Sequence, residues 1–197
     1  MNGKTKSFNE NNMASIITHS LVGLSAALMM PKDWRTSTFL TFATIAPSLP
    51  DLDVLGFYAG IDYVSFFGHR GFFHSFFFAF VLGSCLVMLL CRIEAKMQAI
   101  SWGKLSLFFG LIISSHGILD AMTTGGRGIA LFSPFNNARI FLPFRVIQVS
   151  PMHISQFFGE WGWAVLKSEM LWVWLPLALI LIFKKRRDIF QKSTSPL

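Results

Sequence analysis

Long apolar runs with almost no charges constrain this chain more than any other feature of its sequence. Four runs contain no Lys, Arg, Asp or Glu, and they cover 36–50, 71–91, 105–119 and 170–183. A fifth run, 13–30, holds only His19 as a titratable group. Runs of this kind are typical of helices in a bilayer. The sequence therefore predicts an all-α integral membrane bundle of about five transmembrane or partly re-entrant helices.

The composition supports a membrane protein over a soluble one. Hydrophobic residues make up 53% of the 197 residues and charged residues only 14%, whereas soluble domains average about 25% charged residues. Several runs are shorter than the roughly 20 residues that span a bilayer core. The helix count is thus four to six, with 13–30 and 36–50 as candidates for a re-entrant hairpin. Lys4 and Lys6 also allow a signal peptide at 13–30, but Glu10 and His19 are unusual in one.

The basic residues indicate an orientation in the membrane. With helices near 13–30, 36–49, 72–91, 104–119 and 169–183, the connections fall into two sets. One set, 31–35, 92–103 and 184–197, holds nine Lys and Arg in 31 positions, and the other, 50–71 and 120–168, holds five in 71. The positive-inside rule assigns the first set to the cytoplasm.

The same distribution explains the net charge of +7 without a nucleic-acid partner. We predict a polar N-terminal tail at 1–12, a single membrane domain at 13–183 and a basic cytoplasmic tail at 184–197. The expected partners are membrane lipids and an amphiphilic or lipid-linked substrate.

The polar residues that hydropathy does not explain fall at one end of the predicted helices. They are His19, Asp51, Asp53, His69, His74, His116, Asp120 and Glu169. In an antiparallel bundle all of them lie on the lightly basic, non-cytoplasmic side. A buried polar group without a partner costs roughly 2–7 kcal/mol. We therefore expect these histidines and carboxylates to be one another's partners.

Spacing along the chain supports this convergence. His116 and Asp120 are four residues apart and share a helix face. His69 and His74 would lie about 140° apart on a regular helix. Both can point into one site only if Gly71 interrupts the helix.

A second pair follows the second predicted helix, in 47-PSLPDLD-53. Pro47 and Pro50 end the helix. In an extended stretch, Asp51 and Asp53 would then project their carboxylates in the same direction.

Imidazoles and carboxylates without cysteine suit Zn, Mn, Fe or Co, and zinc is the first expectation. Seven candidate ligands exceed the three or four that one ion needs, so one or two ions are expected. The seven are His19, Asp51, Asp53, His69, His74, His116 and Asp120. We assign catalytic roles to Asp51, His74 and Glu169, with Glu169 as a ligand, an orienting residue or a general base. His153 is interpreted as an ordinary hydrogen-bonded core residue.

The segment 123-TTGGRGIALFSPF-135 combines three glycines with Arg127. Closely spaced backbone N–H groups and a guanidinium suit a phosphate. An interfacial loop anchored by its phenylalanines is the equally weighted alternative.

Together these residues resemble the LexA-regulated membrane-bound metal-dependent hydrolases, also called YdjM-like. The matching elements are 18-THS-20, 50-PDLD-53, 69-HRGFFHS-75, 116-HGILD-120 with the following TTGG, 132-FSPF-135 and Ser168-Glu169. The resemblance implies a bacterial inner-membrane hydrolase with these His and Asp residues as its metal ligands. The segment after 133-SPF-135 is less basic than the family pattern leads us to expect. Arg139 is the residue in it that would bind the anionic part of a substrate.

We therefore predict hydrolysis of a phosphoester or related ester at the non-cytoplasmic interface, with Arg70 and Arg127 holding the phosphate. The alternative is a metal-ion transporter or metal-binding membrane protein that uses the same cluster. Transporter sites tend to lie near the bilayer midplane, whereas these residues lie at helix ends. A structural metal, with a closed coordination sphere, is the third interpretation.

Overall fold

A computed structural model describes residues 12–151 and 157–193, so His153 lies outside the described residues. The chain forms a helical bundle, and the predicted fold class is confirmed. Its α-helices are α1 (Ile16–Met29), α2 (Ser37–Ile45), α3 (Phe76–Ile93), α4 (Trp102–Ala121), α5 (Glu160–Glu169) and α6 (Leu175–Ser193). A π-helical turn, Met170–Trp174, joins α5 to α6.

Short elements connect these helices. The 3₁₀ helices are Lys32–Trp34, Ala46–Ala59, Phe72–His74 and Ala95–Ala99. Two-residue strands, β1 (Asn12–Met13) and β2 (Ser150–Pro151), pair antiparallel. This small ribbon ties the start of the described chain to the long segment that precedes α5.

Within the part of the chain that the structure describes, three helices are long and apolar enough to cross a membrane. They are Phe76–Ile93, Trp102–Ala121 and the continuous stretch Glu160–Gln191. By contrast, α1 has 14 residues, which rise only about 21 Å, and α2 has nine. Both fall short of the ~30 Å hydrocarbon core, as expected for the partly re-entrant pair at 13–30 and 36–50.

Small residues let the helices pack closely. A Cβ on Gly83 of α3 would stand 2.8 Å from the backbone nitrogen of Gly110 on α4, and a Cβ on Gly23 of α1 would collide with the carbonyl of Ala43 on α2. The core around these crossings is formed by buried apolar side chains, among them Phe39, Val87, Leu90, Leu105, Phe109 and Ile113. The packing fixes α1 to α4 as one unit.

Hydroxyl residues set where three of the helices begin. The side chains of Ser15, Thr36 and Ser75 each accept a hydrogen bond from the backbone N–H three residues later, as N-cap residues do. The cap at Ser75 comes directly after His74. The caps at Ser15 and Ser75 thus fix where His19 and His74 enter the bundle.

The bundle has one basic end and one His/Asp end. At the first, Lys184 donates a hydrogen bond to the carbonyl of Met29, and Thr38 donates to Glu94. At the opposite end Glu169 accepts hydrogen bonds from Ser15. Helix α1 therefore runs parallel to the stretch from α5 to α6.

Two predicted boundaries are corrected. The second helix, expected at 36–49, ends at Ile45 and continues as the 3₁₀ helix Ala46–Ala59, because Pro47 and Pro50 lack the N–H that an α-helix requires. The last helix, expected at 169–183, belongs to a helical stretch that starts at Glu160 and continues to Ser193. Most of the predicted tail at 184–197 is thus helical, in keeping with the good helix propensity of Lys and Arg.

The separation of the two ends leads to a first prediction. Reporter fusions at Gln98, near the basic end, and at Asn137, near the His/Asp end, should report opposite compartments, with Gln98 in the cytoplasm. Both residues are exposed, so a fusion should not disturb the core. Identical answers from the two fusions would contradict the predicted orientation.

Candidate metal centre

The first turn of α1 brings His19 into the bundle. The His19 N–H donates to the Ser15 carbonyl at 3.3 Å, which continues the helix from its cap. The His19 side chain is fully buried. Its ring stacks on that of His116, with centroids 4.0 Å apart.

Asp51 and Asp53 diverge, contrary to the expectation of parallel carboxylates. They lie in a 3₁₀ helix, where residues two apart are separated by about 240°, and not in an extended strand. Asp51 faces His74 and His116, at 3.5 and 3.3 Å from their Nε2 atoms. Asp53 faces His69 and the other side of the His74 ring. The two carboxylates therefore contact opposite edges of His74.

The backbone between His69 and His74 is irregular, as predicted. Arg70 has a positive φ of 63°, and a Cβ on Gly71 would collide with the carbonyl of Phe66. The 3₁₀ turn Phe72–His74 follows. These features bring the rings of His69 and His74 within 5.4 Å of each other, at right angles.

Helix α4 contributes the last two residues. His116 Nε2 and Asp120 Oδ2 lie 3.9 Å apart on one helix face, as their spacing predicted. Gly117 lets this face approach His74 closely, because a Cβ there would stand 2.6 Å from the His74 carbonyl. Both His116 and Asp120 are fully buried.

Four side chains from three segments converge as one group: Asp51, His74, His116 and Asp120. Each offers one ligand atom, and the four atoms lie within 4.8 Å of one another. The contacts between the aspartate oxygens and the histidine Nε2 atoms measure 3.3 to 3.9 Å. Ligands bound tetrahedrally at about 2.0–2.1 Å lie about 3.3 Å apart. The group therefore has the dimensions of a metal site.

The lack of hydrogen-bond partners for several buried polar atoms supports the same interpretation. Among the described residues, the buried side-chain atoms without a hydrogen-bond partner include Asp51 Oδ1, His74 Nε2, His116 Nε2 and Asp120 Oδ2. Buried polar atoms normally have partners, and several unsatisfied atoms converging on one point are costly. A cation coordinated by all four would remove this cost. This buried His/Asp group can therefore hold a metal ion.

Asp53 orients histidines. Its Oδ1 lies 2.6 Å from His69 Nδ1, and its Oδ2 lies 3.1 Å from His74 Nδ1 and accepts the Arg70 N–H at 3.1 Å. Carboxylates commonly fix the ring of a metal-binding histidine in this way, leaving its other nitrogen for the ion. Asp53, His69 and His74 also form a second group with metal-site dimensions, and His74 belongs to both groups.

Electrostatics reflects this pairing. Burial favours a higher pKa for the Asp53 carboxyl, but the charges and hydrogen bonds of His74 and His69 lower that pKa to about 2. For His74, burial acts to lower the pKa, and Asp53 with Asp51 raises it to about 10. The His74 ring is thus flanked by two carboxylates, Asp53 at Nδ1 and Asp51 at Nε2.

Arg70 is fully buried and supports Asp120. Its Nε lies 3.3 Å from Asp120 Oδ2, and it also donates to the Gly125 carbonyl and to Thr123 Oγ1. Gly126, with a positive φ of 83°, packs against the guanidinium, where a Cβ would collide. The glycine-rich segment thus encloses Arg70. Arg70, which we predicted to bind substrate, thus contacts Asp120 and this segment, and its role toward a substrate stays a prediction.

The other two predicted phosphate-binding arginines flank Tyr63. Arg139 donates to the carbonyls of His69 and Tyr63 at 2.8 and 2.7 Å, so it fixes the segment that carries His69. Arg127 is exposed, and its guanidinium lies 5.8 Å from the centre of the Tyr63 ring. Of the three arginines, only Arg127 is exposed.

Glu169 lies apart from the four-residue group. Its two carboxylate oxygens accept hydrogen bonds from the Ser15 N–H at 2.7 Å and the Ser15 hydroxyl at 2.5 Å. In the structure Glu169 therefore anchors the start of α1, one turn before His19. No direct contact between Glu169 and the four-residue group supports its predicted roles as a metal ligand or a general base.

Sequence reasoning missed the supporting residues Ser15 and Tyr63. Ser15 could have been found, because a serine directly before an apolar helical run is an N-cap signal. The contact of Tyr63 with Arg127 and Arg139 has no local signal. The Ala14 N–H, which donates to Asp120 Oδ1 at 2.9 Å, has none either.

These features define a helical membrane protein with a buried His/Asp site able to hold a metal ion. Comparison with known proteins is consistent with that class. A family profile described as "YdjM inner membrane protein" matches residues 13–188. The chain is also 37% identical over 169 residues to "Inner membrane protein YbcI" of Escherichia coli (strain K12), covering 86% of this chain and 95% of that protein. The chain belongs to the YdjM inner membrane protein family. No solved structure matches it.

Proposed function

We propose that this protein is a metal-dependent hydrolase that cleaves a phosphoester or related ester of a lipid or lipid-linked substrate. The observation that carries the proposal is the convergence of Asp51, His74, His116 and Asp120 as buried atoms without hydrogen-bond partners. Zinc is the proposed ion, because imidazole and carboxylate ligands without thiolate suit it. When bound, such an ion supplies Lewis acidity and lowers the pKa of a coordinated water.

Asp120 is the member of the group that we assign to proton transfer. A catalytic zinc site needs an open position, and three protein ligands leave one. The carboxylate of Asp120 is already shared with Arg70 and the Ala14 N–H, so it is the weakest candidate ligand. We therefore assign the metal to Asp51, His74 and His116, and propose that Asp120 Oδ2 accepts a proton from the attacking water.

The neighbouring residues keep these groups in place. Asp53 holds His74 Nδ1, so that Nε2 points to Asp51 and Asp120. Arg70 Nε lies 3.3 Å from Asp120 Oδ2 and fixes the position of this carboxylate. His19 stacks on His116 and limits its rotation. We assign these three as positioning residues.

Access to the site favours an amphiphilic substrate. Asp51 is the only one of the four whose side chain is exposed at all, by 10%. Beside it lies an apolar groove of about 520 Å³, lined by Pro50, Leu52, Asp53, Phe73 and Phe78 among others. A groove of this size suits a hydrocarbon chain. A substrate whose chain lay there would contact Pro50 and Leu52, the two sequence neighbours of Asp51.

The charge distribution supports a site on the non-cytoplasmic side. The basic residues Lys32, Arg35, Lys96 and Lys184 gather at the end of the bundle opposite the His/Asp group. Because basic ends stay in the cytoplasm, the group would face the other compartment.

A hydrolysis screen with the purified, zinc-loaded protein tests this proposal. The substrates should include a soluble phosphomonoester, a soluble phosphodiester and phospholipids in mixed micelles. We expect turnover of at least one lipid substrate that a chelator abolishes and added metal restores. Bound metal with no turnover, but with metal uptake into proteoliposomes, would instead support the transporter alternative.

The role given to Asp120 leads to a second prediction. Asp120→Asn keeps the size and the Ala14 contact but cannot accept a proton. We expect it to retain bound metal while turnover falls about 10²–10⁴-fold, the usual contribution of a general base. Metal content and turnover should be measured on the same preparation. Full activity in Asp120→Asn, or complete loss of its metal, would contradict this assignment.

A further inference from the structure

A second cavity lies at the opposite end of the bundle from the metal centre. Its volume is about 770 Å³, and it separates the segment after α1 from the last turns of α6. Four basic residues line it: Lys32, Arg35, Lys184 and Lys185. From Glu169, near the His/Asp end, to Lys184, in the cavity lining, the helix rises about 22 Å.

Contacts with the end of α1 hold two of the cations in place. The Lys184 ammonium donates to the Met29 carbonyl, and Arg35 donates through Nε and Nη2 to the Met30 carbonyl at 2.8 and 2.6 Å. These carbonyls are the terminal acceptors of α1, where cations are favoured. Both side chains keep further N–H groups for another acceptor.

The remaining charges lack partners within the described part of the chain. Lys32 and Lys185 are exposed, and no ion pair or side-chain hydrogen bond links either to another described residue. Asp188 is the acidic residue in the lining. One carboxylate leaves most of the positive charge of four cations uncompensated. Bringing like charges together from positions about 150 residues apart costs energy, which an anion in the cavity would offset.

The apolar part of the lining indicates what kind of anion fits. Leu28, Leu181 and Ile189 share the cavity with the basic residues. Leu181 lies one helical turn closer to the membrane-spanning part of α6 than Lys184. A ligand in this cavity would thus meet cations at the membrane surface and aliphatic side chains deeper in the bilayer.

We infer that this cavity binds the headgroup of an anionic phospholipid. The phosphodiester would lie among Lys32, Arg35, Lys184 and Lys185, with the upper part of the acyl chains against Leu28 and Leu181. Basic pockets between membrane helices on the cytoplasmic side bind such headgroups elsewhere. This inference is independent of the hydrolase proposal, because it involves none of the residues at the metal centre.

Native mass spectrometry of the full chain tests the inference. The purified protein is titrated with phosphatidylglycerol and with phosphatidylcholine of the same acyl composition. We expect a one-lipid complex to form preferentially with phosphatidylglycerol. In Lys32→Gln/Lys185→Gln its apparent affinity should fall about 10-fold, since each basic residue near a membrane surface contributes a several-fold effect.

The matched control is Lys96→Gln/Lys104→Gln. It removes the same charge from the same end of the bundle, at two exposed lysines that are not in the cavity lining. This variant should bind phosphatidylglycerol like the wild type. If the double variant is poorly folded, Lys32→Gln and Lys185→Gln alone should each weaken binding about threefold.

Three results would overturn the inference. They are an equal loss of affinity in the control variant, no preference between the two lipids, and displacement of the lipid by an equal concentration of inorganic phosphate. The last result would mean that the cavity is a site for a free anion.

Discussion

Replacing His116 with alanine is expected to remove the bound metal ion. His116 Nε2 lies 3.3 Å from Asp51 Oδ1 and belongs to the four-residue group. Without His116, only Asp51 and His74 of the three proposed ligands remain, which is too few for a stable zinc site. We expect metal affinity to fall on the order of 100-fold or more, since loss of even an orienting residue costs 10–100-fold. Elemental analysis after dialysis should then change from about one ion per wild-type chain to nearly none.

Ser114→Ala is the matched control for this substitution. Ser114 is buried on the same helix, two residues before His116, and its hydroxyl also has no hydrogen-bond partner among the described residues. The control should keep its metal. Equal metal content in His116→Ala and the wild type would mean that the four-residue group is not the metal site. Loss of metal from both variants would point to a general disturbance of α4.

Glu169→Ala is expected to have the largest effect on stability. It removes the acceptor of both the N–H and the hydroxyl of Ser15, and all of these groups are buried. Each buried donor left without a partner costs about 1–3 kcal/mol. We expect the free energy of unfolding to fall by about 3 kcal/mol, measured by denaturation in detergent. Because Ser15 caps α1, metal affinity should also weaken through the displacement of His19.

Two further variants make this prediction specific. Glu160→Ala removes an exposed carboxylate at the start of α5 and should change stability by less than about 0.5 kcal/mol. Glu169→Gln keeps an acceptor for Ser15 and should recover part of the lost stability. If Glu169→Ala were as stable as Glu160→Ala, the proposed anchoring of α1 would be incorrect. If Glu169→Ala kept normal stability but lost all hydrolysis, the catalytic role first predicted for Glu169 would be favoured.

The membership of the polar cluster could be predicted from the sequence because it depends on a simple rule. In an antiparallel bundle, residues near alternate helix ends share one side, which groups His19, His74 and His116. The four-residue spacing of His116 and Asp120 needs only helix geometry. The need for a break between His69 and His74 follows from the same geometry.

Which residue of the cluster contacts which other residue could not be predicted from the sequence. Whether Asp51 and Asp53 point together or apart depends on the choice between extended and 3₁₀ backbone, which short segments rich in proline leave open. The guanidinium of Arg70 is buried by a segment more than 50 residues away. Glu169 meets Ser15 across 154 positions. Contacts of this range depend on how the helices pack, and no local pattern encodes them.

The basic cavity shows the same limit. Its lysines and arginines were correctly placed at one end of the bundle by charge counting. Sequence alone assigned them to a tail and a short connection, because it does not show that α6 continues to Ser193 and packs beside the segment after α1.

X-ray absorption spectroscopy at the metal edge of the purified protein tests the central claim most directly. We predict one tightly bound ion per chain, coordinated by nitrogen and oxygen at about 2.0–2.1 Å. Two of the ligands should be imidazoles, and no sulfur should be present. His116→Ala should lose the imidazole signal together with the ion. Protein that binds no ion stoichiometrically, or an ion whose spectrum shows sulfur ligands or is unchanged in His116→Ala, would contradict the assignment of the metal to this His/Asp group.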